Sequence, residues 1–198
     1  MPTPPPVLCL ASASPRRHAL LLQIGVAHIA RGADIDETAH PGETPRDYVA
    51  RVAATKARAI RRADASLPVL GADTIVVVDG ALFGKPAGRA QGLAMLASLS
   101  GRSHEVLSAV ALADARGVAI AVSASAVRFR TLTVEECQVY WESGEPHDKA
   151  GAYAIQGLAA AFIESLHGSY SGVMGLPLFE TAALLRAGGV LYGRPLPS

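Results

Sequence analysis

The sequence predicts an α/β fold built on a mixed central β-sheet flanked by helices. Three observations carry that expectation. Short apolar runs of strand length alternate with longer, capped segments whose apolar residues recur at helical spacing. The dipeptide Asp79-Gly80, at the end of a β-branched run, is a strong two-residue hairpin signal. The resulting order, β-α-β-α-β-β-α-β-β-α-β-α, joins some strands through helices and others directly, so parallel and antiparallel pairs share one sheet.

The elements follow in order. Residues 7–11 form a continuous apolar run ended by Ser-Ala-Ser-Pro, the pattern of a buried strand entering a turn. Pro15 suits the first turn of a helix, Ser14 is its expected cap, and Leu20, Leu21 and Ile24 share a face that Gly25 ends. A strand near 27–30 and the acidic stretch at 34–37 lead to a long helix over Pro45–Ala63, capped by Thr44. Val69–Val78 is the most β-branched segment and turns at Asp79-Gly80 into a partner at 81–84. A helix over Arg89–Leu99, strands at 105–113 and 118–130, and a helix from the Thr133 cap to about Glu142 complete the middle of the chain. The glycine-rich segment 151–175 is expected to mix strand and loop, and the wider stretch 144–175 to form a mobile or ligand-shaped wall, ahead of a last helix over Leu178–Ala187.

Half of the 198 residues are apolar and under a fifth are charged, enough for one core, so a single domain or two tightly joined lobes is expected over 1–198. Residues 1–6, with prolines at 4, 5 and 6, read as a flexible lead-in without the basic start and apolar stretch of a secretory signal. Apolar runs are too short to cross a membrane, so the cytoplasm is the expected compartment. Eighteen basic residues against seventeen acidic ones give no general reason to bind nucleic acid or a membrane, and any anion site must be local. Cys9 and Cys137 read as separate reduced thiols, and the six histidines share no metal-binding spacing.

Several residues stand out for chemistry. In Ser12-Ala13-Ser14-Pro15-Arg16-Arg17, a strand-to-helix turn brings backbone N–H groups, two hydroxyls and two guanidinium groups together, a cradle for phosphate without P-loop spacing. The bland alternative is a helix cap followed by two solvated arginines. Asp73 places a carboxylate inside an otherwise apolar strand, where an unpaired charge costs several kcal/mol. It needs a metal, a water to activate, or simply a salt bridge. Glu37 belongs to an acidic trio that reads equally as a solvated loop, and Lys56, one of several basic residues on its helix, reads by itself as a solvent-facing lysine. Lys85 stands between glycine and proline in Gly84-Lys-Pro86, a fixed point charge suited to phosphate. Gln156, in Asp148-Lys-Ala-Gly-Ala-Tyr-Ala-Ile-Gln-Gly157, carries an amide able to read a base edge, or belongs to a plain glycine-rich loop. The apolar residues 158–162 line a base pocket or, in the favoured reading, belong to the core.

Taken together, Leu10-Ala-Ser-Ala-Ser-Pro-Arg-Arg17, Gly71-Ala-Asp-Thr-Ile-Val76, Gly84-Lys-Pro86, the run from Asp148 to Gly157 and Val173-Met-Gly-Leu-Pro177 resemble the Maf family of septum-formation-inhibitor-like nucleotide pyrophosphatases. The resemblance runs from about residue 7 to 187, and the proline-rich ends lie outside it. It implies a fold like that of the inosine triphosphate pyrophosphatases, with a cleft between two lobes. It also implies hydrolysis of a nucleoside triphosphate to monophosphate and pyrophosphate with a divalent cation (Mg2+, Mn2+ or Co2+), and a homodimer.

Carried over by position, the family pattern puts Ser12, Arg16 and Arg17 in the phosphate-binding turn, with Glu37, Lys56, Asp73 and Lys85 completing the catalytic cleft. The resemblance makes Asp73 the general base or holder of the attacking water, and Asp73 with Glu37 the metal ligands. Arg17, Lys56 and Lys85 would offset phosphate charge. The Ser-Pro-Arg-Arg form, Thr74 after Asp73 and the run ending in Gln156-Gly157 resemble the subgroup acting on dTTP and UTP, whereas the subgroup acting on 7-methyl-GTP differs there. Arg16, Thr74 and Gln156 are therefore the selectivity candidates. The rivals are a house-cleaning enzyme for ITP or XTP and a non-enzymatic regulator of cell division that binds nucleotide or nucleic acid.

Overall fold

The computed structural model describes residues 5–193, so most of the lead-in expected over 1–6, and the residues at 195–197, lie outside the described part. Its elements are β1 (Leu8–Leu10), α1 (Pro15–Gln23), β2 (His28–Ala30), α2 (Pro45–Ala63), β3 (Val69–Val78), β4 (Ala81–Phe83) and α3 (Arg89–Leu99). After these come β5 (Ser103–Asp114), β6 (Gly117–Phe129), α4 (Val134–Glu142), β7 (Ile163–His167), α5 (Tyr170–Met174) and α6 (Leu178–Ala187).

The strands form one seven-stranded mixed sheet in the order β2-β1-β3-β5-β6-β7, with β4 paired to β3. β1 runs parallel to β2 and β3, while β3, β5, β6 and β7 are antiparallel neighbours. β1 pairs with β3 only as far as Leu70, and β4 takes up the same edge from Val76 onward. Residues 71–75 thus have β5 on one side and no strand on the other. The break puts Asp73 and Thr74 at an opening in the sheet's edge.

Side chains alternate across a strand, so the two faces of β3 meet different helices. One face packs Ile75 and Val77 with Val49, Ala53 and Ala57 of α2. The opposite face packs Leu70 and Ala72 with Leu20 and Leu21 of α1 and Leu185 of α6. A third cluster, around Val76, Val106 and Phe129, is closed by α3 and α4. Asp73 therefore projects toward α2, and Thr74 toward α1 and α5.

Gly71 makes the first of these packings possible. A Cβ there would fall 2.2 Å from the Ala53 carbonyl oxygen and 2.8 Å from the Ala57 nitrogen, both on the backbone of α2. Only a glycine lets the helix lie this close to the strand.

Helix starts follow the sequence with one correction. Thr44 and Thr133 cap α2 and α4 through their side chains, the latter in a full capping box with Glu136. Ser14 holds the cap position of α1, but its side chain makes no capping bond. Its own N–H instead donates to Ser12 Oγ, 3.2 Å away. The proline that follows has already removed one orphan donor.

The segment 151–175, expected as strand and loop, and the residues just before it also contain three short turns of 3₁₀-helix (Glu145–Asp148, Ala150–Ala152, Leu158–Phe162) and the single-turn α5. Ala159 and Phe162 are buried against Phe129 and Tyr140, so these two residues of the run at 158–162 belong to the core, whereas Leu158, Ala160 and Ala161 are exposed. Cys9 and Cys137 are buried and unlinked. Among the described residues, no helix is long and apolar enough to cross a membrane.

Candidate active site

The opening in the sheet's edge is the floor of a cleft of about 640 Å³. All nine residues singled out in the sequence, Ser12, Arg16, Arg17, Glu37, Lys56, Asp73, Thr74, Lys85 and Gln156, line it. The 12–17 turn forms one wall and the segment from Asp148 to Gln156 faces it.

On the α2 side, Lys56 Nζ lies 2.9 Å from Asp73 Oδ1 and 2.9 Å from Glu37 Oε1. Lys56 is buried, at 8% exposed, so the solvent-facing reading of this lysine fails. The salt bridge offered as the bland alternative for Asp73 is present, yet its partner belongs to the same cleft. Burial pushes the Asp73 carboxyl up, against the opposing pull of Lys56 and Arg17. The Glu37 side chain is about half exposed, so its pairing contributes little to stability.

On the other face Arg17 is held by three contacts. Nε donates to the Gly175 carbonyl at 2.8 Å, one terminal nitrogen to Ser12 Oγ at 3.3 Å, and the other to Thr74 Oγ1 at 3.5 Å. A guanidinium has five donors, so this clamp aims the fork and leaves donors over for an anion. Arg16 reaches across the cleft to Asp148, 3.5 Å away, and Asp148 also accepts from Lys149. Burial works against the Asp148 carboxylate, but Lys149 and Arg16 outweigh it and hold its pKa below the usual range. Lys85 and Gln156 are exposed and make no side-chain hydrogen bond or ion pair among the described residues.

Five cationic side chains (Arg16, Arg17, Lys56, Lys85, Lys149) thus face three carboxylates (Glu37, Asp73, Asp148) in a chain whose formal charge is only +1. The start of α1 at Pro15 adds the positive end of a helix to this local surplus. The cleft is therefore built for a polyanion.

Four contributors went unnamed as site residues in the sequence. Asp148 and Lys149 open a motif whose glutamine alone drew attention. Tyr48 lies on α2 at helical spacing before Val52 and Lys56, and its phenol is pushed up to about 12 by burial and by Asp73 and Glu37. Ser108 is a buried hydroxyl in the apolar middle of β5, directly opposite Thr74. That pairing needs the register of two strands 34 residues apart.

The model of the family described as Maf-like protein matches residues 7–188. The chain belongs to the Maf family. Similar proteins include the dTTP/UTP pyrophosphatase of Bordetella parapertussis, 54% identical over 198 residues, with 94% of each chain covered. The dTTP/UTP pyrophosphatase of Burkholderia pseudomallei is 52% identical over 200 residues, covering 94% of this chain and 96% of the relative. The Maf match spans every residue that lines the cleft.

Proposed function

We propose that this Maf protein hydrolyses dTTP and UTP to the nucleoside monophosphate and pyrophosphate, with Asp73 as general base. The observation that carries it is the placement of a buried carboxylate, Asp73, at the floor of a cleft whose walls carry a surplus of cations. The names of its relatives at 52–54% identity supply the pyrimidine.

Each residue has a defined task. Ser12, the amides of the turn and Arg17 grip the phosphates, and exposed Lys85 meets them from the opposite wall. Water attacks the α-phosphorus as the bond to the bridging oxygen of the β-phosphate breaks, so pyrophosphate leaves with that oxygen. The water's proton passes to Asp73. Lys56 engages Asp73 Oδ1, which leaves Oδ2 to accept it. Burial raises the basicity of that carboxylate, which suits it to proton transfer. Arg16, Thr74 and Gln156 choose the base.

The residues also fit a divalent cation. Asp73 and Glu37 share Lys56 Nζ, each with one oxygen 2.9 Å from it, which holds the two carboxylates side by side with their other oxygens left to ligate a cation. Among the described residues no third His, Cys, Asp or Glu joins them, so the remaining ligands would be water and phosphate oxygens, as magnesium prefers. When bound, Mg2+, Mn2+ or Co2+ neutralises phosphate charge and favours deprotonation of a nearby water. Nucleoside triphosphates as substrates support a cytoplasmic location.

A panel of dTTP, UTP, ITP, XTP and 7-methyl-GTP, assayed for pyrophosphate with and without chelator, tests this reading. Rapid turnover of dTTP and UTP, abolished by chelator, is expected. Preference for ITP or XTP would make it a purine house-cleaning enzyme. Binding of dTTP without pyrophosphate release would make it a regulator.

A further inference from the structure

Ser108 is 1% exposed and sits in β5 opposite Thr74 of β3. A hydroxyl has one proton to give and two lone pairs to receive with. The Ser108 proton goes to the Gly172 carbonyl, 2.6 Å away, because a carbonyl can only accept. Thr74 Oγ1 lies 2.8 Å from Ser108 Oγ, so in that contact Thr74 must be the donor. Its single proton is thereby directed into the protein. From the cleft side, a terminal nitrogen of Arg17 approaches Thr74 Oγ1 at 3.5 Å, and a guanidinium can only donate. Both neighbours impose the same polarity: Thr74 presents lone pairs to the cleft and no proton.

We propose that Ser108 is a positioning residue that fixes Thr74 as an obligate acceptor, and that this acceptor selects an imide pyrimidine over cytosine. Uracil and thymine carry an N–H at ring position 3, whereas cytosine carries a lone pair there. Against Thr74 the first makes a hydrogen bond and the second leaves two acceptors facing each other. A site built to receive a hydrogen bond rejects the analogue that cannot make one more strongly than an apolar pocket would. The proposal rests on the pyrimidine triphosphatase reading and deepens it. Thymine and uracil are treated alike by such an acceptor, since they differ only in a ring methyl.

The test is the ratio of kcat/KM for UTP to that for CTP, read as pyrophosphate release by the full chain and its Ser108→Ala, Thr74→Val and double variants. The two nucleotides share their sugar and phosphates, so the ratio isolates the base. It also does not depend on how much of a variant is folded. Ser108→Ala frees the Thr74 hydroxyl to turn toward the cleft, and the ratio is expected to fall by about ten- to a hundredfold. Thr74→Val should lower it comparably, and the double variant should match Thr74→Val, because Ser108 acts only through Thr74. A Ser108→Ala protein whose rates with UTP and CTP fall by one common factor would show a merely structural role and overturn the proposal. So would additive losses in the double variant. A wild-type protein that releases pyrophosphate from neither nucleotide would overturn the function proposed above, a failure distinct from an active enzyme with an unmoved ratio.

Discussion

Asp73→Asn is expected to slow pyrophosphate release from UTP by ~10²–10⁴, the usual loss when a general base is removed, while nucleotide affinity stays within a few-fold. Asparagine has nearly the shape of aspartate and keeps an oxygen for Lys56 Nζ, now 2.9 Å from Asp73 Oδ1. Lys56 also retains its pair with Glu37, so the ammonium is not stranded. What is lost is the ability to take a proton. The phosphate grip of Ser12 and Arg17 lies on the other face of β3 and does not involve Asp73. Saturating turnover and calorimetric binding of UTP separate the two effects. A rate within tenfold of wild type would place the base elsewhere, and a matching loss of affinity would make Asp73 chiefly a binding residue.

Gly71→Ala is expected to damage both stability and rate, although residue 71 touches no substrate. The added methyl would lie 2.2 Å from the Ala53 carbonyl oxygen and 2.8 Å from the Ala57 nitrogen. Both are backbone atoms of α2, so no side chain can swing away and the helix itself must shift. Overpacking of this kind costs about 1–3 kcal/mol, which lowers Tm by roughly 2–12 °C in a chain of this size. The helix carries Lys56, three residues after Ala53, and the strand carries Asp73, two after Gly71. Forcing them apart strains the 2.9 Å pair at the chemical centre. A misplacement of about 1 Å typically costs on the order of 10² in rate. Gly88→Ala is the control, since a Cβ there meets nothing within 4 Å. Wild-type stability and rate in Gly71→Ala would show that α2 is not held against β3 as described.

Legibility in the sequence followed the range of the interactions. Pro45–Ala63 could be bounded at both ends because Thr44, Pro45 and the apolar spacing are local signals, and Val69–Val78 because β-branched residues and Asp79-Gly80 are. Asp73 was visible as a carboxylate out of place in an apolar strand. Family resemblance then collected Glu37 and Lys56, whose individual signals were weak, and joined them to Lys85, which already stood out between Gly84 and Pro86. Less was legible where meaning depends on a distant partner. The role of Ser108 appears only once β3 and β5 are in register, and that of Asp148 once its turn faces Arg16. Ser14 took the expected cap position, but the capping bond itself depends on a side-chain rotamer that sequence spacing does not reveal. The glycines from 144 to 175 signalled irregular backbone but not its 3₁₀ turns. Gly151, with φ +68 and its Cα packed on Val76, shows how one of those turns seats on the sheet.

In the proposed reaction, water attacks the α-phosphorus of a pyrimidine triphosphate in this cleft. Hydrolysis of UTP in heavy-oxygen water, with magnesium present and products resolved by mass, tests it most directly. The expected products are UMP and pyrophosphate in equal amounts, with the heavy oxygen on UMP. Heavy oxygen in the pyrophosphate, or release of UDP and orthophosphate, would contradict it.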